Sequence, residues 1–288
     1  MQSTRPLTAH CQLANNAAGL PILTIHNDQA KAQISLFGGH VLSYQRHGEP
    51  DSLWLSDKAV LDGNKPIRGG IPLCWPWFGP APARVGDDKP AHGFARTSLW
   101  TLDGVSDHQD GTLVHLSLVE DEATLALWPH AFALELDVLV GKELSLVLTT
   151  RNTGKTPLTY NAALHTYLQI SAPEAVSVTG LGAPYLDKLT GRNELQQGAL
   201  TVTAAMDRIY RQPEAMVAVQ DGERATRVVS GNNDSVVVWT PWAQGAAAMA
   251  DMSDDGYRTM LCVEAAITTD AGITVAPDEE HSFSTVIL

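Results

Sequence analysis

Apolar and polar residues alternate with a period of two along much of the chain. The pattern is clearest over residues 22–26 (ILTIH), 112–120 (TLVHLSLVE), 132–140 (FALELDVLV), 144–152 (LSLVLTTRN), 225–231, 235–240 and 283–288. A strand sends successive side chains to opposite faces, so each segment predicts a half-buried β-strand. Gly, Pro, Asn and Asp bound these segments, and LVGKEL at 139–144 predicts a tight hairpin between two long strands. Helical spacing is scarce. DDKPAHGFA and SAPEAVS are interrupted by proline or glycine, and WAQGAAAMAD leaves room for one short turn. Strand and helix patterns do not alternate, which argues against a parallel nucleotide-binding sheet. No linker, composition shift or fixed-period repeat divides the chain. The expectation is one all-β domain over residues 1–288, a large antiparallel β-sandwich with few short helices.

Composition narrows the partners. Hydrophobic residues make up 44% and charged residues 18%, enough for an extensive core and against disorder. The net charge of −13, from 32 acidic and 19 basic residues without a basic stripe, argues against nucleic acid and an anionic membrane surface. A small anion remains possible, because a few arginines focused in a cleft can outweigh the global field. Cys11, Cys74 and Cys262 are far apart and form no C-x-x-C pair, which predicts reduced thiols in a cytoplasmic protein. The opening MQSTRPLTAHCQLANN lacks an apolar signal core, and no run of 18 apolar residues is present to span a bilayer. The expectation is a soluble, cytoplasmic monomer.

Several segments depart from plain strand chemistry. RGGIPLCWPWFGP, 68–80, combines three prolines and three glycines with five large apolar side chains behind Arg68. It is too irregular for a central strand and too apolar for a bare surface loop. In TYNAALHTYLQI, 159–170, read as one strand, Ala162, Leu164, Thr166, Leu168 and Ile170 share a core-like face. His165 projects from the other face with Asn161, Ala163, Tyr167 and Gln169. In GYRTMLCVEAA, 256–266, Met260, Cys262 and Glu264 share a face, and an unpaired carboxylate in so apolar a strand would be costly. AHGFAR, 91–96, sets His92 and Arg96 about Gly93, and PYLDKLT, 184–190, carries Asp187 and Lys188. Taken singly, each also fits a solvated sheet face, a strand end or a surface turn.

In this order RGGIPLCWPWFGP, HGFAR, LHTYL, YLDK and MLCVE resemble the hexose-6-phosphate mutarotases, or glucose-6-phosphate 1-epimerases, of the aldose-1-epimerase superfamily. The resemblance implies a galactose-mutarotase-like sandwich acting on a small sugar phosphate, with neither metal nor organic cofactor. It makes His165 the catalytic acid and Glu264 the base, converging from opposite sides of one pyranose. Arg68, His92, Arg96 and Asp187 become substrate contacts. Two positions depart from the pattern: Ala91 stands where some members carry Gln, and Ala265 where many carry Pro. Competing readings are an aldose 1-epimerase of free sugars, a non-catalytic carbohydrate-binding or sugar-phosphate-sensing sandwich, and a cupin-like metal site of His92, His165 and Glu264. The last lacks an H-x-H pair.

Overall fold

The structure is a computed structural model that describes residues 4–83, 85–86 and 89–288. Nearly all its regular structure is strand, in antiparallel sheets of five, nine and eight strands and one two-stranded ribbon. The five-stranded sheet is an N-terminal meander from Arg5 to Arg46. Every segment with period-two alternation forms a strand: Pro21–His26, Gly111–Val119, Phe132–Gly141, Leu144–Asn152, Arg224–Gly231, Ser235–Thr240 and Glu280–Ile287. The hairpin at 139–144 also forms, with Val140 paired to Leu144 and Lys142–Glu143 as its loop. All three cysteines are free thiols.

One large apolar cluster takes Leu23 and Ile34 from the five-stranded sheet, Leu136, Leu146 and Phe283 from the nine-stranded sheet, and Leu164 and Val263 from the eight-stranded sheet. The sheets therefore share a core as layers of a sandwich do. One helix is longer than expected and one is unexpected. Trp242–Ala247 extends beyond a single turn, and Glu122–Leu127 follows a strand that alternation alone extends to residue 120. The latter starts at a capping box: the Asp121 carboxylate accepts from the Thr124 amide, and the Thr124 hydroxyl accepts from the Asp121 amide. No helix among the described residues is long and apolar enough to cross a membrane.

Two features of the eight-stranded sheet create a place for chemistry. Strand Met260–Ile267 is buried along its whole length, with neighbours on both sides, which explains its nearly continuous apolar sequence. The segment 159–170 is not one strand but three short ones, Leu158–Tyr160, Ala162–Leu164 and Tyr167–Gln169. At its gap, His165–Thr166, the backbone turns on itself, with the Thr166 amide donating to Leu164 O at 2.8 Å, while the Arg68–Phe78 loop pairs with the outer edge. The His165 amide donates to Pro72 O at 3.0 Å and the Tyr167 amide to Gly70 O at 2.9 Å. Gly70 has φ +61°, and a Cβ there would lie 2.2 Å from Val41 O, so only glycine fits.

Candidate active site

His165 and Glu264 meet through sheet register. Leu164 pairs with Ala265 and Tyr167 with Cys262, so one unbroken register places His165 beside Glu264. Cross-strand neighbours point to the same face. His165 Nε2 lies 3.4 Å from Glu264 Oε1, with residue exposures of 8% and 1%. No pyranose fits between groups in contact, so the expected placement on opposite sides of a ring is corrected: they stand side by side on one cleft floor. Burial raises the Glu264 carboxyl well above the usual carboxylate range and lowers His165 well below the usual imidazole range. Burial therefore favours the tautomer in which the carboxyl holds the proton and the imidazole is neutral.

The floor belongs to a cleft of about 240 Å³ lined also by Arg68, His92, Arg96, Tyr167, Lys188, Asp207 and Trp239. Tyr167 stacks on His165, with centroids 4.9 Å apart and planes 12° apart. Arg68 donates from Nη1 to the Tyr167 hydroxyl at 3.0 Å and from Nε to Asp251 Oδ2 at 3.2 Å. Arg96 is less committed. Its Nη2 donates to Ala91 O at 2.8 Å, while its buried Nε has no partner among the described residues. At Ala91 the backbone carbonyl thus orients the arginine.

His92 has φ +66° and accepts from the Gly79 amide through Nδ1 at 3.2 Å. That bond fixes the neutral tautomer with its proton on Nε2. Burial, with Arg96 and Lys188 nearby, holds its pKa down at about 3. His92 is therefore a neutral donor at any ordinary pH.

Asp187 is not brought to the cleft. Its Oδ1 accepts from the amides of Leu189 and Thr190, closing a turn, and its Oδ2 lies 3.7 Å from Arg208 Nε. Lys188 and Asp207 take that side of the wall instead, joined by a 2.9 Å ion pair. Asp207 and Trp239 lie on ordinary-looking strands, and only the pairing of Asp207 with Trp239 across Met206–Tyr210 and Ser235–Thr240 reveals them. Of the aromatic loop, Trp75 and Trp77 are core residues, and Phe78 reaches the cleft. The trio His92, His165 and Glu264 does not form a ligand set. Among the described residues, the group that could hold a metal is His165, Cys262 and Glu264.

The aldose 1-epimerase family model matches residues 21–288. A protein of Escherichia coli K12 named "Putative glucose-6-phosphate 1-epimerase" is 37% identical over 256 residues, 87% of this chain and 84% of its own. A protein of Cenchrus ciliaris with the same name is 36% identical over 263 residues, 86% of this chain and 78% of its own. Among solved structures, one described as "a putative mutarotase" from Salmonella typhimurium superposes with a TM-score of 0.93 at 32% identity, covering 98% of this chain and 94% of that one. The galactose 1-epimerase of Lactobacillus acidophilus shares the fold at a TM-score of 0.70 and 14% identity, covering 93% and 94%.

Proposed function

The chain belongs to the aldose 1-epimerase family, and on that premise we propose that it is a hexose-6-phosphate mutarotase, interconverting the α and β anomers of glucose 6-phosphate and related aldohexose 6-phosphates. One observation carries the reading: a buried imidazole and carboxyl share a contact of 3.4 Å in a cleft lined by Arg68, Arg96 and Lys188.

Anomer exchange opens and recloses a hemiacetal. The O1 proton must leave, the C1–O5 bond must break, and O5 must gain a proton. O1 and O5 are both bonded to C1, so the groups that serve them should sit side by side, as His165 and Glu264 do. In the opening step Glu264 carboxylate takes the O1 proton while the His165 imidazolium protonates O5. The open aldehyde then faces a protonated Glu264 and a neutral His165. That is the tautomer burial favours in the empty site, and it is the one needed to close the ring from either face after rotation about C1–C2. Both tautomers are visited in every turnover, and no net proton is exchanged with solvent. Two positioned acid–base groups at about 10²–10⁴-fold each suffice for so modest a barrier.

Supporting residues have distinct tasks. His92 Nε2–H offers a neutral hydrogen bond to a sugar oxygen. Arg96, with most of its donors uncommitted, suits the bidentate grip of a phosphate. Arg68 and Lys188 add positive potential, each partly neutralised by Asp251 or Asp207. In a chain of net charge −13, this cluster makes the cleft a local attractor for a small anion. An epimerase of free sugars has no use for it. The test is anomer exchange of glucose 6-phosphate beside glucose, followed by saturation-transfer NMR. The expected result is acceleration of the phosphorylated sugar by at least about 100-fold more in kcat/KM, as two charge-assisted hydrogen bonds supply; equal acceleration would overturn the substrate assignment.

A further inference from the structure

Beneath the proton-transfer pair lies a third ligating atom that anomer exchange does not use. Cys262 Sγ, a nitrogen of His165 and a carboxylate oxygen of Glu264 all lie within 4.8 Å of one another, and all three residues are buried. We propose that this trio is an inhibitory site for a thiophilic divalent cation such as Zn²⁺, entering through the cleft and excluding the sugar.

The register builds the site. Cys262 and Glu264 are two positions apart on one strand and so share a face, with His165 beside them on the neighbouring segment. One thiolate, one imidazole and one carboxylate is a donor set that suits tetrahedral zinc, and two of the three, His165 and Glu264, line the cleft. Two of the donors have unused capacity: Glu264 Oε2 and His165 Nδ1 are buried without a hydrogen-bond partner among the described residues. Charge also balances. The incoming M²⁺ displaces one proton from the Cys262 thiol and one from the Glu264 carboxyl, both released to solvent, and His165 binds as neutral imidazole. The buried centre thus stays uncharged, which avoids the cost of desolvating a net charge. Arg68, Arg96 and Lys188 around the cleft oppose a cation, so the ion is a reversible inhibitor and not a resident. While it is bound, neither His165 nor Glu264 can move a proton.

Binding does not depend on the proposed activity and has its own readout. Co²⁺ added to the full chain should give one equivalent of a thiolate-to-cobalt charge-transfer band, removed by chelator and by Cys262→Ser. In anomer exchange, Zn²⁺ should inhibit competitively with the sugar phosphate. Cys262→Ser, or Cys262→Ala if the serine variant folds poorly, should keep its uninhibited turnover. It should need about 100-fold more Zn²⁺ for half-inhibition, since losing a ligand costs more than the 10–100-fold of an outer-shell loss. No thiolate band, or an unchanged band in both variants, overturns the site. A normal band with no effect of Zn²⁺ on turnover overturns the inhibitory role. Failure of the activity itself would leave the cobalt band to decide the site.

Discussion

The ring of Tyr167 lies parallel to that of His165, 4.9 Å away, and its hydroxyl accepts from Arg68. The contact links the cationic side of the cleft to the imidazole that moves the proton. Ring contacts contribute about 0.5–1.5 kcal/mol beyond buried area. Tyr167→Ala should therefore lower kcat by about tenfold through loss of the imidazole's orientation. Tyr167→Phe keeps the stack, and its effect should fall mainly on KM, through the released Arg68. Steady-state kinetics separate the two; an equal loss of kcat in both variants would show that the stack is irrelevant.

Arg96 carries the fork with most free donors. Arg96→Ala should raise KM for glucose 6-phosphate by about 10–100-fold, the value of one charge-assisted hydrogen bond. The KM for free glucose should barely move. Lys188→Ala should shift the same ratio less, because its ammonium is already paired with Asp207. Equal effects of Arg96→Ala on both sugars would remove the phosphate from this side of the cleft.

Glu264 has a folded pKa above its unfolded value of about 4.5. The folded state then holds a proton that the unfolded state releases, so stability is fully present below about pH 4.5 and declines as pH rises towards the folded pKa. Glu264→Gln is a neutral substitute for the protonated carboxyl and removes that decline. Its Tm relative to the wild type should improve between pH 4 and pH 8 by a few degrees, at roughly 2–4 °C per kcal/mol. A difference independent of pH would mean that the carboxyl is ionised in the folded protein.

The aromatic loop is a core element with one functional edge. Trp75 is fully buried against Phe94, Trp128, Phe132 and Tyr160, and its Nε1 donates to Thr150. Trp75→Ala should cost about 3–5 kcal/mol in denaturant unfolding. Gly93→Ala should be severe for a different reason: φ is +70°, and a Cβ would lie 1.9 Å from Trp75 O. That change would displace His92 and Arg96, so it should damage KM as well as stability. A near-native melting curve for Gly93→Ala would contradict the packing.

What the sequence made legible follows from how local each signal is. Strand alternation is a nearest-neighbour property, so the long strands and the 139–144 hairpin were readable. The faces of His165 and Glu264 were readable for the same reason, but their contact was not, because register depends on pairing between distant segments. The break at His165–Thr166 arises where the Thr166 amide turns back to Leu164 O, which no alternation records. Asp187 misled because an aspartate that closes a turn and one that binds a ligand look alike in sequence. Its neighbours Lys188 and Asp207, and Asp251 behind Arg68, come together only in the fold. The helix at Glu122–Leu127 had a signal in Asp121 and Thr124, obscured by the strand pattern ending just before it.

The central claim is that the proton passes between sugar oxygens and the His165–Glu264 pair. Its most direct test is saturation-transfer NMR of glucose 6-phosphate anomers with Glu264→Gln, after a melting curve has shown the variant folded. Exchange at the buffer rate is the predicted result. Exchange within tenfold of the wild-type rate would mean that another group moves the proton.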